Sequence, residues 1–444
     1  MWRLLVPGLK LKRFLFLIAL GFMALGVAIG LSALTAPELW PYWRRPVIES
    51  FLLVTGLALV VLGFFGLWRS INEVLGSDRW AGLLYSRRQL ARGPHIAALG
   101  GGTGMPAVLR GLKNYTSNLT AVVTVADDGG SSGRLRGELG MLPPGDIRNC
   151  MVALADTEPL MEQLFQHRFQ TGELKGHSFG NLFLAAMEQT SGDFVTALRE
   201  SSRVLAVRGT VLPATLEHVT LHATLVDGAH VEGESAIGHS PERIERIWMD
   251  PPDATPLREA VEAILAADMV VLGPGSLYTS ILPNLLIPAI QDAIRQTKAI
   301  RVYVANIMTQ PGETANFSVQ DHLQAIETHV GPGFIDVVLV NRERVPNHLL
   351  EKYWREGAEQ VSFQGVEGWH GSQPVTIYDN LLLADGVVRH DPDKLAQALL
   401  RVLINFRPKW AEGRLIDALW LENRLRERHQ SRWDGHTPNK SKRN

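Results

Sequence analysis

Two long apolar stretches open the chain, and short apolar runs separated by polar loops follow them. Residues 14–34 run for 21 positions without a charge, and residues 50–68 form a second stretch of nearly that length. A helix needs about 20 apolar residues to cross a bilayer core, so the pattern predicts two transmembrane helices. Arg3, Lys10, Lys12 and Arg13 precede the first, Arg69, Arg79, Arg87, Arg88 and Arg92 follow the second, and Arg44 and Arg45 lie between. Basic residues favour the cytoplasmic side, which predicts a hairpin with both ends in the cytoplasm and an inner-membrane location. A secretory signal peptide has the same basic start but a shorter apolar region and no second span. Trp40, Tyr42, Trp43 and Trp68 fit interfacial anchors.

Beyond residue 92 the apolar runs shorten to strand length: 96–99, 119–126, 269–272, 301–305 and 337–340, with helical periodicity between them. This alternation predicts an α/β fold, a Rossmann-like, doubly wound and mostly parallel sheet. Residues 216–226 and 229–235 flank Asp227-Gly228, a turn signal that predicts an antiparallel β-hairpin excursion. That hairpin covers the crevice at the sheet edge or forms a dimer contact; a homo-oligomer is compatible with either.

The ends of the predicted strands carry the chemistry. Gly100-Gly101-Gly102-Thr103-Gly104 follows the first run and leads to Pro106. Glycines let backbone N–H groups approach a ligand, and a helix start favours an anion, so the loop reads as a phosphate or carboxylate seat. It matches neither G-x-G-x-x-G nor the P-loop. The second run ends in Asp127-Asp128-Gly-Gly-Ser131-Ser132-Gly-Arg134-Leu-Arg136. The paired acids read as ribose acceptors, Mg²⁺ ligands or caps of their own loop. Later runs end in Gly273-Pro274-Gly275-Ser276, in Asn306 with Thr309, Gln310 and Glu313, and in Asn341-Arg342. Five polar strand ends at one sheet edge make a nucleotide-sized crevice. Tyr278 either serves that crevice or faces the core.

Softer candidates lie elsewhere. Asp146 caps the helix it opens, or joins Arg148 and Asn149 in facing phosphate or base. Gly176-His177-Ser178-Phe179-Gly180 has the letters of a nucleophile elbow without a strand leading in, so His177, Ser178 and Asn181 read as hydrogen-bonding groups at a helix start. Tyr353 could stack on a base and Arg389 could pair with a diphosphate; both are also ordinary surface features. His218, His222, His230 and His239 read as surface side chains, because their spacing matches no metal-site pattern.

Five motifs, Gly100-Gly-Gly-Thr-Gly104, Val125-Ala-Asp-Asp-Gly-Gly-Ser-Ser-Gly-Arg-Leu-Arg136, Pro143-Pro-Gly-Asp-Ile-Arg-Asn149, Gly176-His-Ser-Phe-Gly-Asn181 and Gly273-Pro-Gly-Ser-Leu-Tyr-Thr279, occur in an order that resembles the YvcK-like gluconeogenesis factors. The resemblance spans roughly residues 95–395 and stops short of the apolar hairpin. It implies membership of the superfamily that includes the 2-phospho-L-lactate transferases of deazaflavin synthesis. It further implies a UDP-sugar ligand such as UDP-N-acetylglucosamine, Mg²⁺ in the transferase branch, and a regulatory role in carbon-source adaptation, cell shape and cell-wall precursor supply. The resulting division is an anchor at 1–92, a nucleotide-binding domain at 93–405 and a charged C-terminal helix and tail at 406–444.

Composition narrows the functional class. The 444 residues carry 44 Lys and Arg against 45 Asp and Glu, a net charge of −1. That balance, with no basic stripe interleaved with aromatics, argues against a nucleic-acid partner. A single cysteine, Cys150, permits no intrachain disulfide. Arg424, Arg426, Arg428, Lys440, Lys442 and Arg443 make the tail basic, suited to solvent or to anionic lipid.

Overall fold

The computed structural model describes residues 11–33, 44–75, 88–156, 159–240, 242–362, 374–406, 421 and 425. The loop aromatics Trp40, Tyr42 and Trp43, the flanking Arg3, Lys10, Arg79 and Arg87, the side chains of Lys12, Arg44, Arg45, Trp68 and Arg69, and the basic tail lie outside what is described. The chain divides into two units, Met1–Arg88 and Gln89–Asn444.

The first unit contains α1 (Leu11–Ala33) and α2 (Arg44–Leu75), packed against each other. Stretches of 19 and 22 residues within them, Arg13–Leu31 and Pro46–Leu67, are long and apolar enough to cross a membrane. Small residues set their close approach: a Cβ at Gly21 would lie 2.7 Å from Val60 Cγ2 and 2.8 Å from the Gly56 carbonyl. Phe22, Val54 and Phe65 remain more than half exposed within the unit.

In the second unit, seven strands form one sheet in the order β10-β9-β8-β7-β1-β2-β3, every neighbouring pair parallel. They are β1 (Ile96–Gly100), β2 (Leu119–Val123), β3 (Thr210–Pro213), β7 (Met269–Leu272), β8 (Ile300–Val304), β9 (Val337–Asn341) and β10 (Val375–Asp379). Every residue of β1 and β7 is buried. A continuous apolar run without alternation is the signature of a strand covered on both faces, and two groups of helices supply the cover. Met105–Leu112, Gly145–Leu154 and Pro392–Phe406 pack together, as do Arg258–Leu265 and Pro288–Gln296.

The chain winds from β1 outward to β3 and returns to β7 on the other side of β1. The winding direction therefore reverses between β1 and β7, and the loops beyond these two strands cannot cover the gap between them. Gly101–Gly104 and Gly273–Ser276 occupy that position.

Five of the described strands, β3 (Thr210–Pro213), β6 (Ile244–Asp250), β10 (Val375–Asp379), β11 (Leu382–Asp385) and β12 (Val387–His390), escaped the sequence pattern. β3 is four residues long and ends in proline, and β10 alternates weakly in burial. The predicted hairpin is part of a three-stranded antiparallel sheet, β5-β4-β6: β4 (Thr220–Leu225) pairs with β5 (His230–Glu232) and also with β6 (Ile244–Asp250). The Asp227-Gly228 turn forms as expected, with Gly228 at φ +84° and the Ala229 N–H donating to Asp227 Oδ1 at 2.9 Å. A second hairpin, β11 (Leu382–Asp385) and β12 (Val387–His390), follows β10.

Candidate functional site at the sheet switch point

The glycine loop is shaped by what presses on it. Gly102 has φ +63°, a left-handed backbone that residues with a Cβ rarely adopt, and a Cβ there would approach Ser280 Oγ to 3.2 Å. A Cβ at Gly104 would strike the Pro274 carbonyl. The two loops after β1 and β7 thus touch backbone to backbone, and any side chain would part them.

Beside this contact lies a cleft of about 380 Å³. Thr103 and Gly104 line it from one loop, Gly275 and Ser276 from the other, and Asn306, Tyr353 and Arg389 from beyond β8, the helix Asn347–Arg355 and β12. A larger hollow of about 580 Å³ opens near the amino ends of β2 and β3, by Thr120 and Thr210, and none of the motif residues line it. In parallel sheets chemistry gathers at the carboxyl ends, so the smaller cleft is the candidate site.

The turn after β7 is held from β8. Asn306 accepts the Gly275 N–H at 3.2 Å through Oδ1 and donates to the Gly275 carbonyl at 2.8 Å through Nδ2, so its amide shapes the turn. Ser276 Oγ donates to Gln310 Oε1 at 2.7 Å, and Gln310 Nε2 donates to Glu313 Oε1 at 2.9 Å. Glu313 also accepts from Thr279 Oγ1 at 2.8 Å and from the Tyr278 N–H at 3.1 Å. Burial raises the Glu313 pKa above the usual carboxylate range, and these donors oppose the rise.

Tyr278 does not reach the cleft. It is buried, its ring meets Phe317 and His329 edge-on, and its hydroxyl points to the Ile244 carbonyl at 3.5 Å. The π-type turn Leu277–Ile281 buries all five of its residues, which turns the aromatic into the core and rules out a stacking role. Tyr353 faces the cleft with its hydroxyl accepting the Val388 N–H at 3.1 Å. Arg389 is exposed at the rim, and its neighbour His390 is buried, which pushes its pKa down to about 4.

The other motifs gather on the β2 side of the glycine loop. Asp146 accepts the Gly102 N–H at 2.6 Å through Oδ2. It is no helix cap: Pro144 holds the N-cap position of Gly145–Leu154, and Asp146 lies inside the first turn. Burial raises its pKa to about 6, with Asp127 adding to the rise and the Gly102 hydrogen bond and Arg148 opposing it.

Asp127 and Asp128 hold different elements. Asp127 Oδ1 accepts the Gly129 N–H at 2.9 Å, a turn within its own loop. Asp128 Oδ1 accepts the Ser235 N–H at 2.9 Å, which ties the loop to the short helix Glu234–Ile237 of the antiparallel insertion. That contact brings in Glu234, which sequence reasoning missed. Burial, then Asp127, Asp146, Glu313 and Asp128, raise its pKa to about 8. Nothing local marks Glu234, because it reaches these acids only through the fold of the insertion.

Ser131, His177 and Asn181 form one buried cluster. Ser131 Oγ lies 3.1 Å from His177 Nδ1 and accepts from Asn181 Nδ2 at 3.1 Å. Burial and then Arg134 hold the His177 pKa below the usual imidazole value. Ser178 is the N-cap of Phe179–Ser191, accepting the Asn181 N–H at 3.3 Å, as a residue opening a helix should. Arg148 donates to Asn149 Oδ1 at 2.7 Å through Nη2. Asn181 Oδ1 and Arg148 Nε are buried without a protein partner.

Among the described residues no three His, Cys, Asp or Glu side chains converge as a closed metal set. Mg²⁺ needs none: it takes one or two carboxylates and completes its shell with water and phosphate oxygens. Asp127 and Asp128, each engaging an N–H through Oδ1, are of the right chemistry.

The doubly wound sheet thus carries bare loops at its switch point and acids on one flank. This chain belongs to the 2-phospho-L-lactate transferase CofD family, whose model matches residues 96–381. It is similar to the gluconeogenesis factor of Bacillus subtilis, 50% identical over 312 residues that cover 70% of this chain and 98% of that protein. A protein of Clostridium acetobutylicum named "Putative gluconeogenesis factor" is 45% identical over 437 residues, 95% of this chain and 96% of its own. That match leaves out a twentieth of this chain, so the likeness extends into the N-terminal region, beyond the span that the motifs alone suggest. A crystal structure of a UPF0052 family member from Bacillus halodurans superposes with a TM-score of 0.66 at 49% identity, covering 69% of this chain and 99% of that one.

Proposed function

We propose that this chain is a UDP-sugar-binding regulatory protein, a gluconeogenesis factor held at the inner membrane by α1 and α2 with its α/β unit in the cytoplasm. The observation that carries the reading is the meeting of two bare-backbone turns, Gly102–Gly104 and Gly273–Ser276, beside one cleft. Backbone N–H groups at such turns suit a diphosphate where they are not already taken, as that of Gly102 is by Asp146 and that of Gly275 by Asn306. Tyr353 offers a ring to the uracil, Arg389 a cation to the diphosphate, and Thr103 and Ser276 hydroxyls to the phosphate or sugar. Asn306 positions the second turn. UDP-N-acetylglucosamine is the ligand of first choice; the relatives' names favour a role in gluconeogenesis, and the motif resemblance adds carbon-source use, cell shape and cell-wall precursor supply.

Mg²⁺ belongs to this reading as a companion of the diphosphate, held by Asp127 and Asp128. A second reading, a Mg²⁺-dependent transferase of phospholactyl-type groups, is favoured by the name of the matching family and by the gathering of Asp127, Asp146 and Glu234. Calorimetric titration of UDP-N-acetylglucosamine, GDP and NAD against wild type and Gly102→Val tests the first reading. Selective UDP-sugar binding, lost in the folded variant, supports it, and equal affinity in both proteins defeats the phosphate placement. Turnover of a phospholactyl-type donor with a deazaflavin acceptor promotes the second.

A further inference from the structure

The antiparallel insertion presents one buried and one outer face. β4 alternates strictly, with Leu221, Ala223 and Leu225 buried and Thr220, His222 and Thr224 outward. In register, His222 stands opposite Glu232 on β5 and Trp248 on β6, while Thr224 stands opposite His230 and Arg246. The pairing therefore sets two histidines, eight residues apart in sequence, diagonally across adjacent strands.

Their rings have met. His222 Nδ1 and His230 Nε2 are 3.2 Å apart, with the ring planes within 10°. Trp248 flanks both, its centroid 5.6 Å from His222 and 5.2 Å from His230 and its plane within 11° and 19° of theirs. A side chain packed on both imidazoles restricts their rotamers, so the nitrogens are held together before any ligand arrives.

We propose that His222 and His230, brought together by the β4–β5 register and packed against Trp248, form an open binding site for a divalent late-transition-metal ion such as Zn²⁺. Two imidazole nitrogens each about 2.0–2.1 Å from a tetrahedral ion stand about 3.3–3.4 Å apart, close to the separation found. Imidazole suits Zn²⁺, Ni²⁺ and Cu²⁺ and discriminates against Mg²⁺ and Ca²⁺, so this site is chemically distinct from the carboxylates beside the glycine loop. Among the described residues no third ligand of the usual kinds completes the set, and water fills the remaining positions. On the same face, Glu232 stands opposite His222 and adds a negative charge, and Arg246 stands opposite Thr224 and adds a positive one.

The test uses full-length protein in detergent near neutral pH, titrated calorimetrically with Zn²⁺. Wild type is expected to take up one equivalent that His222→Ala and His230→Ala each weaken at least tenfold, while His218→Ala leaves it unchanged. Circular dichroism checks that the variants fold. Trp248 gives an independent readout: Cu²⁺ should quench a component of the tryptophan fluorescence that is missing in Trp248→Phe, and His222→Ala should lose that quenching. An identical Zn²⁺ isotherm in wild type and folded His222→Ala, or Cu²⁺ quenching of Trp248 that is undiminished in that variant, overturns the assignment and leaves a simple imidazole–imidazole hydrogen bond.

Discussion

Asp146 Oδ2 accepts the Gly102 N–H at 2.6 Å, so the first turn of one helix grips the glycine loop that precedes another. The grip joins the two halves of the site, because Gly102 leads into the cleft while Asp146 faces Asp127 and Arg148. It also places a carboxyl group against the loop that the proposed function assigns to the phosphate.

The sign of the resulting pH dependence follows from the direction of the shift. Folding raises the Asp146 pKa from its ordinary 3.8 to about 6, so its contribution to stability is fully present below 3.8 and is lost as pH rises through about 6. A shift of that size corresponds to about 3 kcal/mol at most. Asp146→Asn keeps an acceptor for Gly102 and cannot ionise. Thermal melts should therefore show the variant gaining on wild type between pH 4 and 7, and parallel melting curves across that range would be the contrary result.

Glu313 predicts a different outcome. Its carboxylate serves Thr279, Gln310 and the Tyr278 N–H from a buried position. Glu313→Ala strands those donors, and each unsatisfied buried group costs about 1–3 kcal/mol. The melting temperature should drop markedly, and in protein that still folds the affinity for UDP-sugar should fall because Ser276 loses its support through Gln310. Titration of the variant checks this, and an unchanged affinity would show that the turn after β7 stands on its own.

Replacing Asp127 or Asp128 by Ala should weaken nucleotide binding by on the order of tenfold or more, the loss expected for a charge-assisted contact worth about 1.5–3 kcal/mol. Asp128→Ala should in addition loosen the insertion, since the Ser235 N–H loses its acceptor. Hydrogen exchange at Ser235 would rise in that variant and stay as in wild type in Asp127→Ala.

Mg²⁺ should announce itself through protons. Burial and neighbouring carboxylates raise Glu234 to about 8, so much of it is protonated at pH 7. A cation on Asp127 and Asp128 offsets that repulsion and should release a proton. Calorimetric enthalpies of Mg²⁺ binding with UDP-sugar would then differ between buffers of unlike ionisation heat, and the difference should vanish in Glu234→Gln. Buffer-independent enthalpies in wild type would place the metal elsewhere.

For α1 and α2, the expected outcome is a full-length protein that resists alkaline carbonate extraction and carries a C-terminal reporter active on the cytoplasmic side. Recovery wholly in the soluble fraction would remove the anchor from the proposal.

Features that depend on neighbours along the chain were legible in the residues alone. Span length is a count of apolar positions, and the continuous apolar runs of β1 and β7 announce buried parallel strands because nothing on either face is polar, while β2, β8 and β9 each carry one polar residue near an end, Thr120, Arg301 and Asn341. The glycine loop, the Asp227-Gly228 turn and the Ser178 N-cap are likewise set by local backbone chemistry. β3 and β10 lie at the two edges of the sheet, where burial is incomplete, so neither shows the continuous apolar run of the central strands.

Only the tertiary structure decided which way side chains point and which distant residues meet. Tyr278 turned into the core because the segment after β7 winds into a π-type turn, and Asp146 serves Gly102 because the helix it belongs to begins two residues earlier than a capping role requires. Asp128 and Glu234, more than a hundred residues apart, became neighbours through the insertion. His222 and His230, which no linear spacing pairs, touch because strand register places them on one face, and register is a property of two strands together that neither sequence segment carries by itself.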